Sequence, residues 1–341
     1  METCGRPTVP VAVVIPAYNA AAHLAAALAS VAEQTVQPAE VIVVDDGSSD
    51  GTAFVATNAG ARVLQQSNLG PSAARNAGVV AAHAPWVAFL DADDTWFPHK
   101  LEAQWAALSR WPDLAFCITD YTVLQPDGTT VEALLKADTE YCAIARTAID
   151  ADAVRFDATS FLSALVRSMF VRQSSVVVRR ETFLRSGGYD ARYRLAEDYD
   201  LFIRLVGYAP AASIERPLVQ YRRRDDSLSA DPLTEIWSID ALWERILQTP
   251  ERYPAGIEDF VLPQRAKTLR KGAKLALRLG RFSEAEPLLR KLREIDASLT
   301  TLSFYGLWSA LRSPLGRRLH QAVRTTWRRR PRRTATVSTR L

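Results

Sequence analysis

The sequence predicts an α/β fold: a mixed, mostly parallel sheet flanked by helices, followed by an α-helical C-terminal extension. Three observations carry this. Short apolar, β-branched runs alternate with helical stretches of about a dozen residues, the pattern of strand–crossover–strand units. Clusters of polar residues stand at the carboxyl ends of those runs, where open sheets of this kind bind ligands. Beyond about residue 232 the strand pattern stops and only helical periodicity continues.

Val11-Ala-Val-Val-Ile15, bounded by Pro10 and Pro16, reads as a buried strand. Pro16-Ala-Tyr-Asn19 turns the chain into an Ala-rich helix over 20–34. Val41–Val44 is the second strand, and Asp45-Asp46-Gly-Ser-Ser-Asp-Gly-Thr52 leads from it into a helix near 52–59. Strand 61–64, helix 71–82 and strand 86–90 follow. We then expect a helix over 98–110, a strand over 114–121 and a turn at Gln125-Pro-Asp-Gly128. The stretch 135–159 lacks periodicity and reads as a loop-rich insertion that shapes a substrate pocket. After it come strand 174–179, a short helix 181–185, and a helix starting near Glu197 or Asp198 with acidic residues in its first turn. Pro217–Tyr221 reads as an edge strand, because proline cannot donate to a ladder. In the extension, 267–279 and 282–295 form a helical hairpin joined at Gly280-Arg281, loosely like one tetratricopeptide repeat. The organisation predicted is a catalytic-size domain over 1–230, helices over 231–330 and a disordered basic tail over 331–341.

Composition narrows the class. With 341 residues, 48% hydrophobic and 23% charged, the chain is an ordinary globular protein. Cys4, Cys117 and Cys142 have no spacing suited to a disulfide framework or a zinc site, which fits a reducing cytoplasm. Met1–Pro10 has no signal-peptide character, and no run approaches the roughly 18 apolar residues of a membrane span. The charge is split: residues 261–341 hold 20 Lys or Arg against 4 Asp or Glu, whereas residues 1–260 hold 22 against 34. A basic tail on an acidic body points to an anionic partner surface. A basic amphipathic helix there, with Leu315, Leu319, Val323 and Trp327 spaced by four, suits peripheral binding to an anionic membrane, the alternative being a solvated helix. The tail lacks any recognisable nucleic-acid motif, so no nucleic acid is expected, and no G-x-G-x-x-G follows the first strand, which removes a dinucleotide-dependent oxidoreductase.

Three polar clusters carry the candidate chemistry. Trp86–Leu90 delivers Asp91, Asp93 and Asp94 onto one turn, and three like charges that close repel unless a cation sits among them. Hard oxygen ligands suit Mg²⁺ or Mn²⁺, often bound through one or two carboxylates plus substrate phosphates. The alternative is a solvated acidic turn. Asp45 and Asp46 can accept from a base or ribose, with Tyr18 stacking on the base; Asx turns and a helix cap by Ser49 or Asp50 explain the same residues structurally. In Asn68-Leu-Gly-Pro-Ser-Ala-Ala-Arg-Asn-Ala-Gly78, a glycine precedes a helix N-terminus that carries Arg75, a place for a diphosphate.

Taken together these motifs, with Gly187-Gly-Tyr-Asp190 and Glu197-Asp198, resemble the family 2 glycosyltransferases of the GT-A fold, in the family's order and over about residues 10–230. The resemblance implies an enzyme of the hexosyltransferase class, moving a sugar with inversion from a nucleoside-diphosphate donor, a UDP-sugar first, to a hydroxyl of a glycan or lipid-linked acceptor. It implies donor binding by Pro16, Tyr18, Asp45, Asp46, Arg75, Asp91, Arg222 and Arg224. Asp91 and Asp93 become the D-x-D pair, with Asp93 touching the metal, or Asp94 if the alignment shifts by one. Asp198 becomes the general base. Arg224 stands where the family often has histidine in a loop closing over the diphosphate. The competing readings are a nucleotide-binding protein without transferase activity and a nucleic-acid-associated protein using the basic tail. The expected location is cytoplasmic, peripheral on the inner face of the membrane.

Overall fold

The computed structural model describes residues 6–132, 134–193, 195–224 and 231–296. The proposed amphipathic helix, the 331–341 tail and residues 225–229 therefore lie outside the described residues. Contacts divide the chain into two compact units, one ending at Val261 and one starting at Leu262.

The first unit opens with β1 (Thr8–Ala17), α1 (Ala21–Ala32), β2 (Gln37–Asp45), α2 (Thr52–Asn58), β3 (Arg62–Gln65), α3 (Pro71–Ala81) and β4 (Trp86–Phe89). It continues with β5 (Thr95–Trp96), α4 (Lys100–Arg110), β6 (Phe116–Leu124), β7 (Thr130–Val131), α5 (Leu134–Ala137), α6 (Thr139–Cys142), β8 (Arg146–Ala148) and β9 (Ala153–Phe156). Then follow α7 (Ala158–Arg167), β10 (Val177–Arg179), α8 (Arg180–Arg185), α9 (Glu197–Val206), β11 (Ala211–Arg222) and α10 (Pro232–Gln248). These strands form one sheet in the order β3-β2-β1-β4-β10-β6-β11-β9-β8, with β5 also on β11 and β7 on β6. β3, β2, β1 and β4 are parallel, β10 runs antiparallel between β4 and β6, and β11 is again parallel to β6. The mixed, mostly parallel sheet expected from the alternation is what the chain forms. Val11 to Ile15 and Trp86 to Phe89 are buried along their whole length, as unbroken apolar runs require when helices cover both faces.

Packing explains particular residues. A Cβ added to Gly78 would lie 2.4 Å from Val14 Cγ1, so this glycine lets α3 lie directly on β1. Phe89, Phe183 and Tyr189 pack ring to ring, with centroids 5.6–5.8 Å apart, and hold the Gly187–Tyr189 turn against β4. Asp190 pairs with Arg192 at 2.5 Å, Arg252 at 3.7 Å and Arg245 of α10 at 3.9 Å, and so ties α10 into the first unit. The boundary drawn at residue 230 from the sequence precedes this helix, whereas the compact unit runs on to Val261.

Two sequence expectations fail here. The 135–159 stretch is not a loop: it holds α5, α6 and the β8–β9 hairpin, with β9 extending the sheet beside β11. Elements of three or four residues are too short to show a period. β11 is twelve residues long and internal, with β6 on one side and, on the other, β9 along Ala212–Ile214 and β5 at Val219–Gln220. Pro217 is accommodated because the β11–β6 register shifts on either side of it, at a bulge where no ladder donor is needed.

The helices of the second unit are the run of α11 (Ile257–Leu279) from Leu262 on and α12 (Phe282–Ile295), with Gly280 at φ 74° turning the chain. Leu269, Ala273, Ala276, Ala285, Leu288, Leu289 and Leu292 are buried, giving each helix an apolar stripe. Arg270 pairs with Asp296 across this hairpin. Among the described residues no helix is long and apolar enough to cross a membrane.

Candidate active site

The carboxyl ends of β1, β2 and β4, the N-terminus of α3 and the end of β11 surround one cleft of about 790 Å³. Pro16, Tyr18, Asp46, Arg75, Asp91, Asp93, Arg222 and Arg224 all line it. Tyr18 is 52% exposed there, a large ring left facing solvent. Asp45, Asp94 and Asp198 do not line the cleft, and neither does any described residue of the 135–159 stretch.

The two aspartates of the β2 turn have different tasks. Asp45 accepts from Ser48 N–H at 3.0 Å and holds its own turn, as an Asx turn does. Asp46 accepts from Gln66 Nε2 at 2.7 Å, Leu69 N–H at 2.9 Å and Gly70 N–H at 2.8 Å. It thereby shapes the loop that starts α3. A carboxylate has about four lone-pair sites, and these three bonds use three of those of Asp46. The cap expected at Ser49 or Asp50 is Gly51 instead, with Asp50 bracing Thr52 N–H at 2.9 Å.

Gly70, at φ 91°, aims the chain into α3, and Arg75 on the second turn is 6% exposed. Its guanidinium donates to Asp91 at 2.7 Å and to Glu197 at 3.1 Å and lies 5.4 Å from the Tyr189 ring centroid. Asn76 closes a two-way amide pair with Tyr189, donating to its carbonyl at 2.8 Å and accepting its N–H at 2.9 Å. One helical turn thus clamps the D-A-D-D turn, the Gly-Gly-Tyr-Asp turn and the start of α9.

The three aspartates after β4 separate by environment. Asp94 is 1% exposed; its oxygens accept from Ser174 Oγ at 2.5 Å and Arg222 N–H at 2.9 Å, tying the turn to β11. Burial, then Asp91 and Asp93, push its carboxyl well above the usual range. Asp91 and Asp93 line the cleft with half-buried carboxylates, Asp93 3.6 Å from Arg224. Burial and the charge of Asp91 raise the Asp93 carboxyl as well, against the pull of Arg224 and His23. Among the described residues no three His, Cys, Asp or Glu side chains converge as a preformed metal cage. A Mg²⁺ or Mn²⁺ held by one or two carboxylates plus a diphosphate needs no such cage, and the mutually repelling Asp91 and Asp93 are hard donors whose excess charge a cation relieves. The residues present fit that mode of binding.

Asp198 sits in the first turn of α9, behind Ala196 at φ 67°. It accepts from Tyr199 N–H at 2.9 Å. Burial first, and the Glu197 charge second, push its carboxyl up to about 7, with Arg75 and Arg172 opposing. A carboxylate poised there can take a proton near neutrality. Beneath it, buried Asp200 pairs with buried Arg204, which also donates to Gly188 O at 2.7 Å and so locks α9 to the glycine turn.

The sequence reading assigned no role to Glu197, His23, Arg172, Ser174 or Tyr221. Glu197 was visible beside Asp198 in the quoted motif. The others carry no local signal, since each acts through partners from distant strands.

The family profile described as Glycosyl transferase family 2 matches residues 12–142. Succinoglycan biosynthesis protein ExoU of Rhizobium meliloti is 33% identical over 216 residues, 60% of this chain and 58% of that protein. Amylovoran biosynthesis glycosyltransferase AmsB of Erwinia amylovora is 30% identical over 223 residues, 61% of this chain and 68% of that one. Among solved structures, S. aureus TarS 1-349 in complex with UDP-GlcNAc aligns at TM-score 0.61 and 15% identity, over 93% of this chain and 91% of that one. The mannosyltransferase PcManGT from Pyrobaculum calidifontis, in complex with GDP-Man and Mn²⁺, aligns at TM-score 0.54 and 16% identity, over 96% and 89%. At these identities the solved structures speak to the GT-A fold alone.

Proposed function

This chain belongs to the family 2 glycosyltransferases, and on that premise we propose that it transfers a sugar, with inversion, from a nucleoside-diphosphate donor to a hydroxyl of a glycan or lipid-linked acceptor. The observation that carries the reading is the double ion pair of Arg75, which links the D-A-D-D turn to the Glu197-Asp198 turn beside one cleft. Donor-side and acceptor-side groups are thereby held in fixed relation, as in-line displacement requires.

Tyr18 stacks on the base and the remaining lone pair of Asp46 accepts from it. Arg75, Arg222 and Arg224 face the diphosphate. Asp91 and Asp93 would hold the divalent cation, with Asp93 the direct ligand; the two hydrogen bonds and burial of Asp94 support assigning it a structural role instead. The bound cation supplies charge neutralisation of the diphosphate as the leaving group departs. Asp198 removes the proton from the acceptor hydroxyl, and the alkoxide-like oxygen attacks the anomeric carbon from the face opposite the diphosphate. One displacement inverts configuration, so no enzyme nucleophile is required. The choice of a nucleotide-sugar donor and a divalent metal follows by analogy of fold with TarS, solved with UDP-GlcNAc, and PcManGT, solved with GDP-Man and Mn²⁺. ExoU and AmsB, named for succinoglycan and amylovoran biosynthesis, support a glycan acceptor.

The test is a thermal-shift screen of UDP-, GDP- and dTDP-sugars with and without Mn²⁺, since a bound donor stabilises the fold by mass action. One nucleotide sugar should raise Tm, more so with Mn²⁺, and Asp93→Ala should lose the Mn²⁺ increment while folding normally. No shift with any donor would overturn the proposal.

A further inference from the structure

Arg172 is a further guanidinium of this region, and the donor reading leaves it unused. It precedes the short 3-10 turn Gln173–Ser175 that leads into β10. Its guanidinium carbon lies 5.5 Å from the ring centroid of Tyr121 and 5.1 Å from that of Tyr221. Tyr221 pairs with Val123, two residues from Tyr121, so both rings stand on one face of the β6–β11 ladder. Its charge also acts on Tyr199 and Asp198 at the start of α9.

Arg75 and Arg172 differ in their partners. Arg75 holds two carboxylates. Among the described residues Arg172 forms no ion pair, and its buried Nε has no hydrogen-bond partner. The Tyr199 hydroxyl, on a residue 2% exposed, is likewise unpartnered, as are both ends of the neighbouring Gln173 amide. A largely desolvated cation with no carboxylate in contact is unfavourable; two aromatic faces, the Tyr121 side chain and the charge of Asp198 offset only part of that. Arg172 does not line the proposed donor cleft, which Arg75, Arg222 and Arg224 do line. Its unpartnered Nε belongs to a guanidinium whose charge reaches the proposed base, Asp198.

We propose that Arg172 belongs to an acceptor subsite for an oxyanion, a carboxylate or a phosphate, carried by the acceptor near the hydroxyl that Asp198 deprotonates. This rests on the glycosyltransferase reading above. Guanidinium forks bind both kinds of oxyanion through paired N–H groups, and aromatic packing fixes the plane of the fork.

The experiment loads the full chain with saturating UDP and Mn²⁺, so that the donor-site cations are occupied. Inorganic phosphate and, separately, acetate are then titrated by calorimetry into wild type, Arg172→Gln and Arg172→Lys. Wild type should bind at least one of the two anions; Arg172→Gln should weaken that binding at least tenfold, Arg172→Lys less, with UDP affinity equal in all three. Tighter binding of acetate assigns a uronate-type acceptor, tighter binding of phosphate a phosphate-bearing one. Absence of anion binding to loaded wild type overturns the subsite. So does binding unchanged in Arg172→Gln, including the case where that variant only lowers Tm through lost ring packing. If UDP itself does not bind, the donor reading fails; Arg172-dependent phosphate binding to the unloaded protein then decides the subsite separately.

Discussion

Replacing Asp198 by Asn should cost activity and add stability at once. The Asp198 carboxyl is raised from 3.8 to about 7, chiefly by burial and then by Glu197. An acid whose folded pKa exceeds its unfolded value binds more protons in the fold, so stability falls as pH rises from about 4 to about 7 and the loss is complete above that. Three pH units at about 1.4 kcal/mol each set a ceiling near 4 kcal/mol. The side chain is half-buried and shares its field with Glu197, so solvent and relaxation remove part of this. We expect Asp198→Asn to gain about 1–2 kcal/mol at pH 8, a Tm rise of roughly 2–6 °C, and to gain nothing at pH 4. Transfer should fall about 10²–10⁴-fold, the range for loss of a general base. The wild-type rate should decline as pH drops through about 7, a limb absent from the variant's residual rate. Thermal melts at both pH values and a coupled nucleotide-release assay read the two effects. A variant as active as wild type would refute the base, and a variant less stable at pH 8 would refute the electrostatic argument.

Gly78→Ala should destabilise by about 1–3 kcal/mol in urea titrations, because the 2.4 Å approach to Val14 Cγ1 outweighs the helix propensity gained. Asp94→Ala should lower Tm by removing two hydrogen bonds, one buried and one half-buried, about 2–3 kcal/mol in all, whereas Asp93→Ala should leave Tm unchanged; equal effects would undo the division of roles. Lys100 is fully buried, hydrogen-bonded to Gln104 at 2.8 Å, and burial pulls its amine down to about 7. The unfolded chain then holds the extra proton, so wild-type stability relative to Lys100→Met should rise with pH between about 7 and 10, as urea midpoints at pH 7.5, 8.5 and 9.5 would reveal. Truncation after Ser298 removes much of the basic tail and should reduce sedimentation with anionic vesicles while sparing donor hydrolysis; unchanged vesicle binding would remove the membrane role.

What could be read from the sequence was whatever local pattern determines. Val11–Ile15 and Trp86–Leu90 announce buried strands by composition alone, and the start of α9 at Glu197 follows from its acidic first turn. Pro217 misled for a physical reason: the rule that keeps proline at edges has an exception at bulges, and the bulge is a property of the β6 pairing, not of β11. Helix α7 was missed even though its sequence is amphipathic, because it follows an aperiodic stretch whose elements are three or four residues long. The same division runs through the site. Three aspartates within four residues are equivalent on paper, and nothing local separates them. Ser174, 80 residues on, and Arg222, 128 residues on, turn Asp94 into a structural strut and leave Asp91 and Asp93 to the cleft. The Arg172 environment is likewise assembled from Tyr121, Tyr199 and Tyr221, which only the fold brings together. Motifs therefore locate chemistry along the chain, while the choice among equivalent groups is made by partners the fold imports. Acceptor specificity, resting on such imported partners, is accordingly the part of this enzyme's function that its motifs describe least.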